Sequence, residues 1–175
     1  LTQSEYESIG VTGFSTTTER AAAEVTVLNE VISSFTDNTK VDRINEVVDI
    51  RKAVTALIDT VEGKTPAITK SQLGLLGFTV DDAGVTTDVT DDNLSAIRKV
   101  LADTGIGTDF DTVDTLAKVQ TLVNGAINAL EAVKTEADAD DGDAITVAQL
   151  QAMGVEGAVD TGAVANIALI NSILD

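Results

Sequence analysis

Ile145-Thr146-Val147-Ala148-Gln149-Leu150-Gln151-Ala152-Met153-Gly154-Val155 is one copy of a phrase that the chain writes three times. A second copy runs from Ile68 through Thr69, Ser71, Gln72, Leu73 and Leu76 to Gly77-Phe78. A third opens the chain with Leu1-Thr2, Ser4-Glu5-Tyr6 and Ile9-Gly10-Val11. Each copy reads as a short amphipathic helix (helix A) closed by glycine, which enters the left-handed region without steric cost. A phrase repeated at intervals of about 67 and 77 residues changes what a chain of this length means, because it indicates a repeat array.

Two further helices follow each complete copy. Helix B of the first unit carries the run Ala21-Ala22-Ala23-Glu24-Val25-Thr26-Val27-Leu28-Asn29-Glu30-Val31-Ile32, with Val25, Leu28 and Ile32 on one stripe. Thr16 with Glu19 three residues on predicts a capping box at its start. In the second unit, Leu94-Ser95-Ala96-Ile97-Arg98-Lys99-Val100-Leu101 aligns with residues 25–32 without gaps.

Helix C repeats more closely still. Val41, Ile44, Val47, Val54, Leu57, Ile58 and Val61 recur at three- and four-residue spacing. Val113, Leu116, Val119, Leu130 and Val133 match Val41, Ile44, Val47, Ile58 and Val61 at a constant offset. Gly63 and Pro66, the sole proline, end the first helix C. The connector Glu136-Ala137-Asp138-Ala139-Asp140-Asp141-Gly142-Asp143 follows the second.

The expected architecture is all-α: tandem three-helix bundles at 1–66 and 67–143, with a partial third repeat at 144–175. One helix cannot bury its own stripe, whereas three can close around a core. The partial repeat leaves Ile167, Ile170 and Ile173 without their usual cover, so it is expected to pack on the second unit or on another molecule. The start at Leu1 falls on a repeat boundary, which reads as a fragment of a longer array.

Composition narrows the function. With 29 acidic against 11 basic residues, the net charge of −18 lacks the basic footprint of a nucleic-acid binder and opposes anionic membrane surfaces. The apolar fraction of 43% supports a core, built from Val, Leu, Ile and Ala because aromatics are only 3%. No apolar run reaches the roughly 18 residues of a membrane span, so no membrane insertion is expected. The chain has no His and no Cys, which removes the usual bases and thiol nucleophiles. It is read as no enzyme. Gly105-Ile106-Gly107 follows a helix and lacks the rest of a phosphate loop, so it is a turn. Phe14, Phe35, Phe78 and Phe110 flank the interhelix turns and read as plugs at the bundle ends. Arg51, Lys52, Arg98 and Lys99 read as outward-facing charges that neutralise neighbouring acids.

One cofactor reading stands out. Asp138, Asp140, Asp141 and Asp143 around Gly142 offer clustered oxygen ligands suited to Ca²⁺. Their spacing is not that of an EF-hand, because Ala137 and Ala139 occupy alternate positions. Asp81, Asp82, Asp88, Asp91 and Asp92 form a weaker second candidate.

The A–B–C plan resembles the three-helix modules repeated in bacterial cell-surface proteins, above all albumin-binding GA-type modules. Gly10-Val11, Val31-Ile32 and Thr112-Val113 carry the likeness. It is also similar to the acidic, Cys-free helical repeats of large adhesins exported by type I secretion. The resemblance implies an extracellular or cell-surface role in bacterial attachment. The partners it suggests are neighbouring repeats of the same chain, with a protein partner or self-association as a further expectation. The alternative is a protein-binding module whose helix face docks a host protein or another copy. Albumin binding is not carried over, since the acidic surface and longer turns depart from that family.

Overall fold

Thr2, Thr69 and Thr146 start three helices by the same chemistry. Each threonine hydroxyl accepts the amide of the residue three places on. That residue, Glu5, Gln72 or Gln149, returns its side chain to the threonine amide, at 2.7, 2.9 and 2.7 Å. These reciprocal capping boxes satisfy amides that the first helical turn leaves orphaned, each worth about 1 kcal/mol. The helices they open are α1 (Gln3–Ser8), α4 (Lys70–Leu75) and α7 (Val147–Ala152). Their exits repeat as well. The amides of Val11, Phe78 and Val155 reach back to the carbonyls of Tyr6, Leu73 and Leu150 at 3.0, 3.2 and 2.9 Å. Gly10 and Gly77 make this reversal at φ of 91° and 92°, a conformation that an L side chain resists.

The computed structural model describes residues 1–35, 44–80, 88–104, 110–139, 145–153, 155 and 167. The remaining helices are α2 (Thr18–Ser34), α3 (Ile44–Val61), α5 (Leu94–Thr104) and α6 (Leu116–Ala139). The chain is therefore all-helical among the described residues, with only an isolated parallel bridge between Val80 and Val89 outside the helices.

Helix α3 is the centre of the packing. Val47, Ile50, Val54, Leu57, Ile58 and Val61 form its buried stripe, and each fully buried aliphatic side chain contributes about 1.5–3 kcal/mol. Helix α2 packs against it, and so do α4 and α5 from the following segment. Helix α6 in turn receives α5 and α7 and also touches α2. One cluster of buried side chains therefore runs from Tyr6 through Leu57, Leu73 and Ile97 to Ile127. The segments 1–66 and 67–143 share this core through α3. A smaller cluster joins Ile145 and Leu150 to Val133 of α6, with Ile167 packed against it. Ile167 thus packs against Ile145 and Leu150, while Ile170 and Ile173 lie outside the described residues.

Several sequence expectations are corrected. No side-chain cap forms at the start of α2, whose N-cap is Thr17 and not Thr16. The Ser15 hydroxyl accepts the Thr17 amide at 3.1 Å, and Glu24 accepts the Ser15 amide at 2.9 Å. Those two bonds take over the entry to the helix. The buried stripe of α2 is Glu24, Val27, Leu28 and Val31, with Val25 and Ile32 only partly covered. Ile44 is exposed at the start of α3. Val113 is buried in the turn ahead of α6, which begins at Leu116. Helix α6 continues through Glu136 to Ala139, residues read from sequence as connector. Nothing in Glu136-Ala137-Asp138-Ala139 stops a helix, since proline and glycine are both absent there.

Candidate functional site

Polar groups in this chain concentrate where one helix ends and another begins. The densest group surrounds Arg20 of α2. Its Nε meets Glu24 Oε1 at 2.9 Å, one NH2 group meets Asp59 of α3 at 2.8 Å, and the other binds Glu62. Lys64 also reaches Glu62 at 2.8 Å. Glu24 is only 1% exposed, so a carboxylate this deep requires a paired cation and a full set of donors. Arg20 and the Ser15 amide supply both. Burial works against the charge of Arg20, but its bonds to Asp59 and Glu24 outweigh that and hold its pKa above the ordinary value. The cluster ties α2 to the end of α3. Every acid in it already faces a cation, which leaves a clamp and not a reactive centre.

A second polar seam fixes the residue ahead of two of the three capping threonines, Thr2 and Thr69. Asn29 Nδ2 donates to the carbonyl of Leu1 at 2.7 Å, and Arg98 Nε donates to the carbonyl of Ile68 at 2.7 Å. Asn29 and Arg98 occupy the same place in the helix B alignment. The Ile68 amide is held as well, by Thr60 Oγ1 at 2.7 Å. Residues 63–66 contain a cis Thr65-Pro66 peptide bond and lead directly into this pinned, buried isoleucine. Arg51 behaves like Arg98, donating to the carbonyl of Gly13 at 2.7 Å. The two arginines therefore brace backbone, whereas Lys52 and Lys99 do pair with acids, Asp49 and Asp103.

The aromatic rings sit where the turns predict them. Phe14 and Phe110 are buried, and Phe35 and Phe78 pack partly against the core. The Phe14 ring lies 5.8 Å from that of Tyr6, within the range of favourable aromatic pairs. Tyr6 donates its hydroxyl to Asn29 Oδ1 at 2.8 Å, and burial raises its pKa above 10.0.

Grooves are present between the helices. One of about 520 Å³ is lined by Glu19, Ala22, Ala23, Phe110, Asp111 and Asp114, among others. Asp114 is engaged by Lys118 at 2.7 Å. Another, of about 680 Å³, runs beside Leu1, Phe14, Ala21 and Val25. The first groove is bordered by the carboxylates of Glu19, Asp111 and Asp114 and by Thr26 and Thr115.

Of the Ca²⁺ candidates, Asp140, Asp141 and Asp143 lie outside the described residues, and the backbone of Asp138 is helical near the end of α6. In the weaker acidic turn, Asp81 and Asp82 also lie outside them. Asp91 is paired with Lys70 at 2.9 Å, and the Asp88 carbonyl accepts from Asn93 at 2.9 Å. Among the described residues no three acidic side chains gather in a metal-holding group, and no helix is long and apolar enough to cross a membrane. Compared with protein-family models, curated proteins and solved structures, the chain matches none.

Proposed function

We propose that this chain is a non-enzymatic spacer within a large secreted or cell-surface bacterial protein, built from A–B–C helical repeats that present other domains at a distance. The repeats are tandem three-helix units fused through a shared helix C, with the third unit partial. The observation that carries this reading is the repeated joint. The capping box, the return of the chain after it, and the seating of α4 on α3 and of α7 on α6 recur along the chain. A joint made the same way each time transmits orientation from one unit to the next, which a spacer requires. The pinned Ile68 and the continuous core replace a swivelling connector with a packed one. Strong acidity adds solubility and discourages lateral association.

Two measurements test the proposal. Small-angle scattering of the full chain from low to high ionic strength is expected to give one unchanging profile. Expansion at low salt, driven by the net charge of −18, would mean units that swing apart and would remove the spacer mechanism. Protease shaving of intact cells that carry the gene is expected to release peptides of this chain, and their complete retention would overturn the surface location.

A further inference from the structure

Three places in the molecule invite a partner: the groove around Phe110, the acidic residues near the end of α6, and the outer face of α1. The first is an acidic groove with nothing that points to an occupant, its Asp114 already paired with Lys118, and the second lies largely beyond the described residues. The third carries an argument of its own.

The residue before each capping threonine is aliphatic: Leu1, Ile68 and Ile145. So is the C-cap or its neighbour in each short helix: Ile9, Leu76 and Met153. Ile68 and Ile145 are 0% and 2% exposed, and Leu76 is 0% exposed. Met153 packs against the cluster of Ile145 and Leu150, as Val133 of α6 does. These residues belong to short helices that lie on a preceding helix C, α3 for α4 and α6 for α7. Leu1 and Ile9 hold the same positions on α1 but are 64% and 45% exposed. No described helix does for α1 what α3 does for α4.

We infer that the Leu1–Ile9 face of α1 is a docking surface for an amphipathic helix of the α3 and α6 type, with a Val/Leu/Ile stripe at three- and four-residue spacing. The occupant is a helix C of another repeat, entering as α3 enters against α4. The case is continuity with an interface that the chain builds twice. The backbone geometry of α1 is already that of its covered counterparts: the capping box, the Val11 return and the Gly10 reversal are all in place. Its Leu1 carbonyl is braced by Asn29 as that of Ile68 is by Arg98. The surface is thus preorganised, and what remains uncovered is the aliphatic pair. This inference rests on the repeat reading above and extends it from the joints inside the chain to a joint at its outer face.

The test uses the full chain with a second copy of residues 110–144 placed directly before Leu1, so that helix C precedes α1 as it precedes α7. Amide exchange at Tyr6, Ile9, Gly10 and Val11 is expected to slow at least tenfold, and Tm to rise by about 5 °C as the aliphatic pair is covered. Leu1→Asp with Ile9→Asp is expected to abolish both gains in the extended chain and to change little in the original one. Unaltered exchange in α1, or a gain indifferent to Leu1 and Ile9, overturns the assignment. A dimer of the original chain that Ile9→Asp dissolves would give the face to a second copy and also overturn it. Ile68→Asp in the original chain separates the two layers of the argument. Severe destabilisation there with no gain in the extended chain rejects the docking surface alone. An Ile68→Asp chain as stable as the parent rejects the repeated joint, and the inference with it.

Discussion

Segments 1–66 and 67–143 solve one packing problem with different polar chemistry. In the first, α2 spans 17 residues and carries the buried Glu24, held by Arg20 and tied through it to Asp59 and Glu62. In the second, α5 spans 11 residues, and the alignment puts Asn93 at the place of Glu24 and Val89 at that of Arg20. Asn93 is also buried, but it is neutral and serves locally. Its Oδ1 accepts the Thr90 amide, its own amide donates to Thr90 Oγ1, and its Nδ2 donates to the Asp88 carbonyl. Val89 is simply buried. On the facing helix, Glu131 pairs with Lys134 instead of with an arginine from helix B. The apolar stripe is common to both segments, while the polar anchor is replaceable. A charged clamp reaches between helices, and a neutral one shapes a turn.

The largest effect is expected at the element both segments share. Leu57→Ala removes a fully buried side chain from α3 and should cost about 3 kcal/mol. Because α3 supports α2, α4 and α5, denaturant melts followed by amide exchange should show protection falling in both segments together. Loss confined to residues 1–66 would replace the shared core with two separate ones.

Removing the clamp comes next. Arg20→Met leaves the Glu24 carboxylate buried without its cation and should destabilise the chain by about 2–3 kcal/mol. Adding Glu24→Gln should recover part of that loss in a double-mutant cycle, because the uncompensated charge disappears. Asn93→Ala, its counterpart, should cost only about 1–2 kcal/mol, the worth of a lost local cap and its unsatisfied partner. Equal costs for Arg20→Met and Asn93→Ala would erase the distinction between the two anchors.

The smallest effect concerns the capping boxes. Glu5 is held below its ordinary value of 4.5, chiefly by the Thr2 amide and then by the Thr2 hydroxyl. A carboxylate with a depressed folded-state pKa adds stability above its unfolded pKa and loses it as pH falls through the folded value. Amide protection in α1, measured relative to the intrinsic exchange rate at each pH, should therefore fall as pH drops through the usual carboxylate range. The equivalent boxes of α4 and α7 use Gln72 and Gln149, which do not titrate. Glu5→Gln should make α1 behave like them, and a pH response that survives this substitution would assign the effect elsewhere.

The helical class and much of each buried face were legible in the sequence because they are carried by short-range periodicity. Leu73, Val54 and Ile97 declare their buried faces within a turn or two of their neighbours. The sharing of α3 was not legible, since periodicity shows that a stripe is buried but not how many helices cover it. Arg51 and Arg98 read as surface charges in sequence because the carbonyls they brace, Gly13 and Ile68, lie 38 and 30 residues away. The capping boxes were within reach: Thr-x-x-Glu or Thr-x-x-Gln stands in all three copies of the opening phrase. The Arg20–Glu24 spacing hinted at an ion pair, while its extension to Asp59 and Glu62 depended on tertiary packing.

The position of α3 beneath its neighbours also decides where such a chain can be cut. Severing it at residues 63–66 strips α4 and α5 of the helix they rest on and tears open the Thr60–Ile68 bond. A cut after α5 is no safer, because α5 also rests on α6, and a cut before α3 strips α2 of its support. Recombination or subcloning should therefore preserve folding best when α2 through α6 stay together.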